Sequence, residues 1–188
     1  MHLHLLALAA AFGAAMACGG AQAAVTVIGS GPAQLCYEAA DNGDAPGENL
    51  IYCNAALAGP LSQVDRAATL VNRGVLRMAL SQFDAAADDF HSSIAIKDDI
   101  GESYIDLGAT QIFNRHYDEA IASIDKGLAL GTKRPQNAYY DRAIANEALG
   151  HIRQAYEDFR QALALAPGFD LAAQQLKRFK VVEKPSGT

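Results

Sequence analysis

Apolar residues recur along the middle of the chain with a helical period, and the pattern itself repeats. Ala120, Ile121, Ile124 and Leu128 fall at i, i+1, i+4 and i+8, which makes one apolar stripe on a helix. Tyr104, Leu107, Gly108 and Gln111 make a shorter helix before it. Self-similarity at a fixed period then organises the whole segment. Adding 34 to Leu70, Gly74, Phe83, Asp84, Ala86, Phe90, Ile94 and Ile96 lands on Tyr104, Gly108, Tyr117, Asp118, Ala120, Ile124, Leu128 and Leu130. Adding 35 more lands on Tyr139, Ala143, Ile152, Arg153, Ala155, Phe159, Leu163 and Leu165. Size class is kept throughout, and only the aspartate position changes character, at Arg153. The extra residue falls in the loop near Pro135.

Small residues stand where two helices would cross: Gly74, Gly108 and Ala143 at one crossing, Ala86, Ala120 and Ala155 at the other. A larger side chain there would force the helices apart. Pro167, just after Leu165, stops the last helix of the series. Behind it, Asp170 is placed to N-cap a final helix over 170–180 carrying Leu171, Leu176 and Phe179. Such a helix would cover the apolar end of the array. Lys177, Arg178 and Lys180 suit its negative end. Residues 181–188 read as a frayed tail.

In front of the repeats, Pro32 to Ala40 and Asn49 to Ala58 read as two short helices joined by an Asn42–Gly47 loop. Pro60 then breaks the chain. Region 24–66 is therefore expected to be an N-terminal helical cap or degenerate repeat.

Residues 1–23 hold no Lys, Arg, Asp or Glu, and Leu3 to Met16 is an apolar run. With Ala21-Gln22-Ala23 behind it, the stretch reads as a secretory signal peptide cleaved after Ala23. It is short for a membrane span. The expected location is the periplasm or the secreted space. Cys18 follows Ala15-Met16-Ala17, a poor lipobox, so membrane attachment is expected only if that cysteine is lipidated. That variant would be a lipoprotein in envelope assembly. Cleavage leaves Cys36 and Cys53, and two cysteines in an oxidising compartment favour one disulfide. The alternative is two buried free thiols.

These repeats resemble the tetratricopeptide family, whose helix-turn-helix unit is about 34 residues long. The second unit carries Tyr104, Leu107-Gly108 and Tyr117-Asp118-Glu119-Ala120, and the third Tyr139, Leu149-Gly150, Ala155, Phe159, Ala162-Leu163 and Pro167. Arg73 and Arg142 depart from the pattern, replacing a leucine. The resemblance implies an all-α solenoid of about three repeats, at 67–100, 101–134 and 136–169. It also implies a binding groove lined by the first helix of each unit. The family's groove positions fall on Val71, Val75 and Met78; on Glu102, Ile105, Ala109 and Ile112; and on Asn137, Tyr140, Ile144 and Glu147. Val71 and Val75 stand where members that grip a C-terminal carboxylate carry Lys and Asn, so no carboxylate-clamp ligand is expected. An apolar groove suits an amphipathic helix or an extended apolar segment of another protein. The chain's own N-terminal segment or final helix could fill it instead.

Charge and chemistry narrow the rest. The chain carries 15 Lys and Arg against 21 Asp and Glu, net −6, with no clustered basic surface of the kind nucleic acid needs. No catalytic residue, metal or cofactor is expected. Val27-Ile28-Gly29-Ser30-Gly31 resembles the strand-turn opening of FAD or NAD enzymes, leaving such an enzyme as a remote alternative. Gln34 replaces its third glycine, and no second strand with a terminal acid follows. Asp88-Asp89 and Asp98-Asp99 read as solvated outer faces. His91, His116 and His151 lack partners at ligand spacing.

Overall fold

The computed structural model describes residues 3–7, 24–27, 31–43 and 46–183. The cleavage signature at Ala21–Ala23 and Cys18 lie outside the described residues. Nine helices are found among those described: α1 Pro32–Asn42, α2 Pro46–Ala58, α3 Gln63–Ala79, α4 Phe83–Ile96, α5 Gly101–Phe113, α6 Tyr117–Leu130, α7 Pro135–Ala148, α8 Ile152–Leu165 and α9 Asp170–Leu176. A two-stranded antiparallel ribbon pairs β1 Leu3–Ala7 with β2 Phe179–Glu183, in the register Leu3 to Glu183 and Ala7 to Phe179. None of the described helices is long and apolar enough to cross a membrane.

The described residues divide into two compact units, one within 24–134 and the other comprising 135–183 with 3–7. In the first, α1 packs on α2, α3 on α4 and α5 on α6, and each pair stacks on the next through α2 on α3 and α4 on α5. In the second, α7 packs on α8, and α9 closes over α8. The fold is that of a helix-turn-helix repeat protein, as the periodicity requires.

Local chemistry sets the helix ends. Pro32 and Pro46 open α1 and α2 at the position where a missing N–H costs nothing. Ser62 caps α3: its hydroxyl oxygen accepts from Asp65 N–H at 3.1 Å and its O–H donates to the Asp65 carboxylate at 2.7 Å. The first helix of every repeat ends in the same Schellman motif. Gln82, His116 and His151 N–H each donate to the carbonyl five residues back. The residue before each of them is left-handed: Ser81 at φ 59°, Arg115 at φ 62° and Gly150 at φ 79°.

The crossings are as tight as the small residues imply. Ala86, Ala120, Ala143 and Ala155 are wholly buried. A Cβ on Gly74 would come within 2.5 Å of the Phe90 ring, and one on Gly108 within 2.5 Å of Ile124. Cys36 and Cys53 form a disulfide joining α1 to α2, with their Cα atoms 4.8 Å apart.

The C-terminal end differs from expectation. The final helix stops at Leu176, and Asp170 is its first residue, with Phe169 at the N-cap and no side-chain capping bond. Residues 179–183, expected as helix end and tail, form β2, where the β-branched pair Val181-Val182 suits a strand. Phe179 still reaches the core, packing on Tyr156 and Phe159 with ring centroids 5.7 and 5.9 Å apart.

Candidate protein-binding face

The residues expected to line a groove divide between the two units. In the first unit they lie on α3 and α5. Val71, Val75, Met78, Ile105, Ala109 and Ile112 are all buried, at most 6% exposed. Glu102 is half-buried, and its carboxylate accepts the Lys133 backbone N–H at 3.1 Å.

Part of this face is covered by the chain itself. Ala24–Val27, neither helix nor strand, runs against it. Ala24 packs among Cys36, Ala39, Ala40, Val75 and Leu76, and Val27 packs among Ala33, Ala56 and Ala68. Val27, where the sequence resembles the opening of a dinucleotide turn, lies against helices. Gly31, at φ 103°, N-caps α1. An apolar face does not stay wet when chain is at hand to bury it.

The covering segment is held by one side chain. Val25 N–H donates to Asn72 Oδ1 at 2.7 Å, and Asn72 Nδ2 donates to the Val25 carbonyl at 2.8 Å. Asn72 is wholly buried on α3, 47 residues away in sequence. Thr26 faces outward, and its hydroxyl accepts from Lys133 Nζ at 3.0 Å. Sequence reasoning missed Asn72, although a signal exists. Asn72, Asp106 and Asp141 occupy one position in the three repeats, and all three polar side chains are buried.

In the second unit Tyr140 is buried against Phe159 and Phe169, with centroids 5.5 and 5.3 Å apart. Asn137, Ile144 and Glu147 are half-buried. The Glu147 carboxylate pairs with Arg178 at 2.5 Å. Elsewhere in this unit, Tyr156, Arg160, Leu163, Leu176 and Phe179 line an open depression of about 400 Å³.

One charge reading is corrected. Asp88 is exposed as expected, but Asp89 is only 2% exposed. It accepts from Arg73 Nη2 at 2.6 Å and from Arg77 Nη1 at 2.7 Å. The arginine that departs from the repeat pattern thus supplies a counter-charge across the helix pair. Arg142 does the same for Asp158 at 2.6 Å. Asp98 and Asp99 are exposed, and Lys97, donating to Asp99 at 2.7 Å, holds that carboxyl below its usual range. His91, His116 and His151 are exposed; His116 lies 3.2 Å from Glu119. Among the described residues no three His, Cys, Asp or Glu side chains converge as a metal site would require.

Comparison with known proteins fits this architecture. Residues 136–169 match the family model of the tetratricopeptide repeat. Over 104 residues, 54% of this chain, the sequence is 35% identical to the tetratricopeptide repeat and J domain-containing co-chaperone DNJ1 of Fusarium oxysporum f. sp. lycopersici. The match spans only 18% of that protein's length. The structure is similar to the second TPR domain of human RPAP3 in complex with the HSP70 peptide SGPTIEEVD, with a TM-score of 0.57 and 20% identity over 62% of this chain and 97% of that one. It is also similar to MamA from Desulfovibrio magneticus, with a TM-score of 0.62 and 18% identity over 77% of this chain and 81% of that one. The fold is therefore that of a tetratricopeptide-type helical solenoid.

Proposed function

We propose that this chain is a non-catalytic scaffold of the periplasm or secreted space that holds a peptide or helix of another protein on the face made by the first helices of its repeats. The observation that carries this reading is Ala24–Val27 itself: a non-helical segment lies on that face, fixed through its backbone by Asn72. Support also comes from the human RPAP3 domain, which has the same fold and holds a peptide. The Fusarium relative, a co-chaperone, is consistent with work on other polypeptides. The acidic tail held by the human domain is not the expected ligand here. Val71 and Val75 stand at the carboxylate-gripping positions, so the partner segment is apolar.

The location rests on the leader pattern of residues 1–23 and on the Cys36–Cys53 disulfide. Mass spectrometry of the mature N-terminus tests it: a start at Ala24 supports export with cleavage, and retention of Met1 overturns it. Binding is tested by photo-crosslinking in the native envelope, with a photoreactive side chain at Tyr37 or Leu61, which pack on the clusters that hold Ala24 and Val27, and, as the control, at the exposed Ser92 on α4. The reading expects one polypeptide captured from the first two positions and absent from the third. The same products from all three positions, or none from any, would overturn it.

A further inference from the structure

Asn72 meets Val25 as a neighbouring β-strand would. Its carbonyl oxygen takes the Val25 N–H and its amide N–H gives to the Val25 carbonyl, at 2.7 and 2.8 Å. This contact reads main chain, so any residue except proline could supply it. Selectivity comes from the positions on either side. Ala24 and Val27 turn into the helices, 2% and 4% exposed, while Thr26 points outward. Small or β-branched side chains fit the two inward positions, whose walls are Ala39, Ala40 and Val75 for one and Ala33, Ala56 and Ala68 for the other. Those walls do not depend on the segment for their cohesion. The Cys36–Cys53 disulfide ties α1 to α2, and α1 packs on α3 directly.

We propose that Asn72 and the surrounding α1–α3 face form a binding site for a non-helical, apolar stretch of polypeptide. Residues 24–27 are its tethered occupant, and a partner segment of the same pattern displaces them. The ligand class is a non-helical peptide with a small residue and a β-branched residue three apart, both turned inward, and a free N–H on the residue after the small one. This rests on the protein-binding reading above and adds where the partner docks and what it must displace. A tethered occupant competes at high effective concentration, so a free peptide gains the site only when the tether is weakened.

The test uses the full-length chain. A labelled peptide of residues 24–30, Ala-Val-Thr-Val-Ile-Gly-Ser, is titrated into wild type and into Val27→Asp. Fluorescence anisotropy reports binding, and circular dichroism confirms that the helices remain. The expected result is binding to Val27→Asp at least roughly tenfold tighter than to wild type. Adding Asn72→Ala to that variant, or N-methylating the second residue of the peptide, abolishes it. Native-state hydrogen exchange on wild type gives an independent reading. The Val25 amide should exchange by local opening, about tenfold or more faster than the core amides of α3. Three outcomes overturn the proposal: a folded Val27→Asp that binds nothing, N-methylated peptide that binds equally well, or a Val25 amide that exchanges only with global unfolding. Loss of helicity in Val27→Asp also overturns it, because the segment would then be core. Peptide binding without any crosslinked partner would leave this site standing and remove the scaffold reading. A crosslinked partner without peptide binding would do the reverse.

Discussion

Arg142 grips Asp158 across the helix pair with two hydrogen bonds, at 2.6 and 2.9 Å, sixteen residues away in sequence. Arg73 and Asp89 repeat the arrangement at the same spacing. The middle repeat lacks it and carries Leu107 and Ser123 at the matching positions. Both aspartates are buried, whereas the Arg142 side chain is 24% exposed. Removing one partner strands a buried carboxylate or a partly buried guanidinium, and removing both need not. Arg142→Leu alone is expected to cost about 2–3 kcal/mol, at or below the low end of the about 3–5 kcal/mol for a broken fully buried pair, because water still reaches the arginine. Arg142→Leu with Asp158→Ser, which copies the middle repeat, should recover more than half of that loss. Urea unfolding of the four species in the cycle measures the coupling. A double variant as weak as the sum of the two singles would show that the residues act independently.

Three equivalent turns hold three different residues in one left-handed conformation: Ser81, Arg115 and Gly150. Only glycine adopts it without a Cβ penalty. Ser81→Gly and Arg115→Gly should each stabilise the fold by about 0.5 kcal/mol, the conformational relief exceeding the entropy glycine adds to the unfolded chain. Each variant should raise Tm by about 1–2 °C. Gly150→Ala should lower it. A fall in Tm for both glycine substitutions would mean that the native side chains make contacts worth more than the strain.

What was legible in the sequence follows from where each constraint acts. Gly74, Gly108 and Ala143 announce helix crossings because close approach permits only small residues, and the 34-residue period places them. The stapled cysteines needed only to fall on adjacent short helices. Asp89 was opaque because local periodicity cannot reveal that Arg73 and Arg77 turn toward it from another helix. Asn72 was opaque for the same reason over a longer range, its partner Val25 being 47 residues away. Burial of Val71 and Val75 depends on what lies over them, and a repeat pattern assigns a face without saying what covers it. Phe179 fits both a helix three residues on from Leu176 and a strand ending the core, so its burial was readable while its backbone was not.

The Cys36–Cys53 disulfide closes a 17-residue separation, and both sulfurs are fully buried. Loop closure of that size contributes about 3 kcal/mol on the chain-entropy model. Cys36→Ala with Cys53→Ala is therefore expected to lower Tm by roughly 6–10 °C. Intact mass after alkylation should show no free thiol at these positions without reductant and two with it under denaturing conditions. Free thiols in the unreduced protein would remove the staple. An unchanged Tm in the double variant would show that α1–α2 packing alone holds the front of the array.

One close approach in the first unit lies between main chains. A Cβ on Gly101, the first residue of α5, would come 2.0 Å from the Gly131 carbonyl oxygen and 2.9 Å from that of Gly127. A Cβ on Gly127 would in turn meet the Gly101 carbonyl oxygen at 2.8 Å. Neither oxygen can rotate away as a side chain can, so the start of α5 and the end of α6 would have to separate. Gly74 differs, because its added Cβ would strike the Phe90 ring, and the third repeat tolerates Ala143 at the same position. Gly101→Ala should therefore cost about 2–3 kcal/mol, overpacking outweighing the gain in helix propensity of at most about 1 kcal/mol. Gly74→Ala should cost clearly less. Chemical denaturation of the two variants side by side decides it. The reverse order would mean that the α5–α6 contact yields more easily than the Gly74–Phe90 crossing.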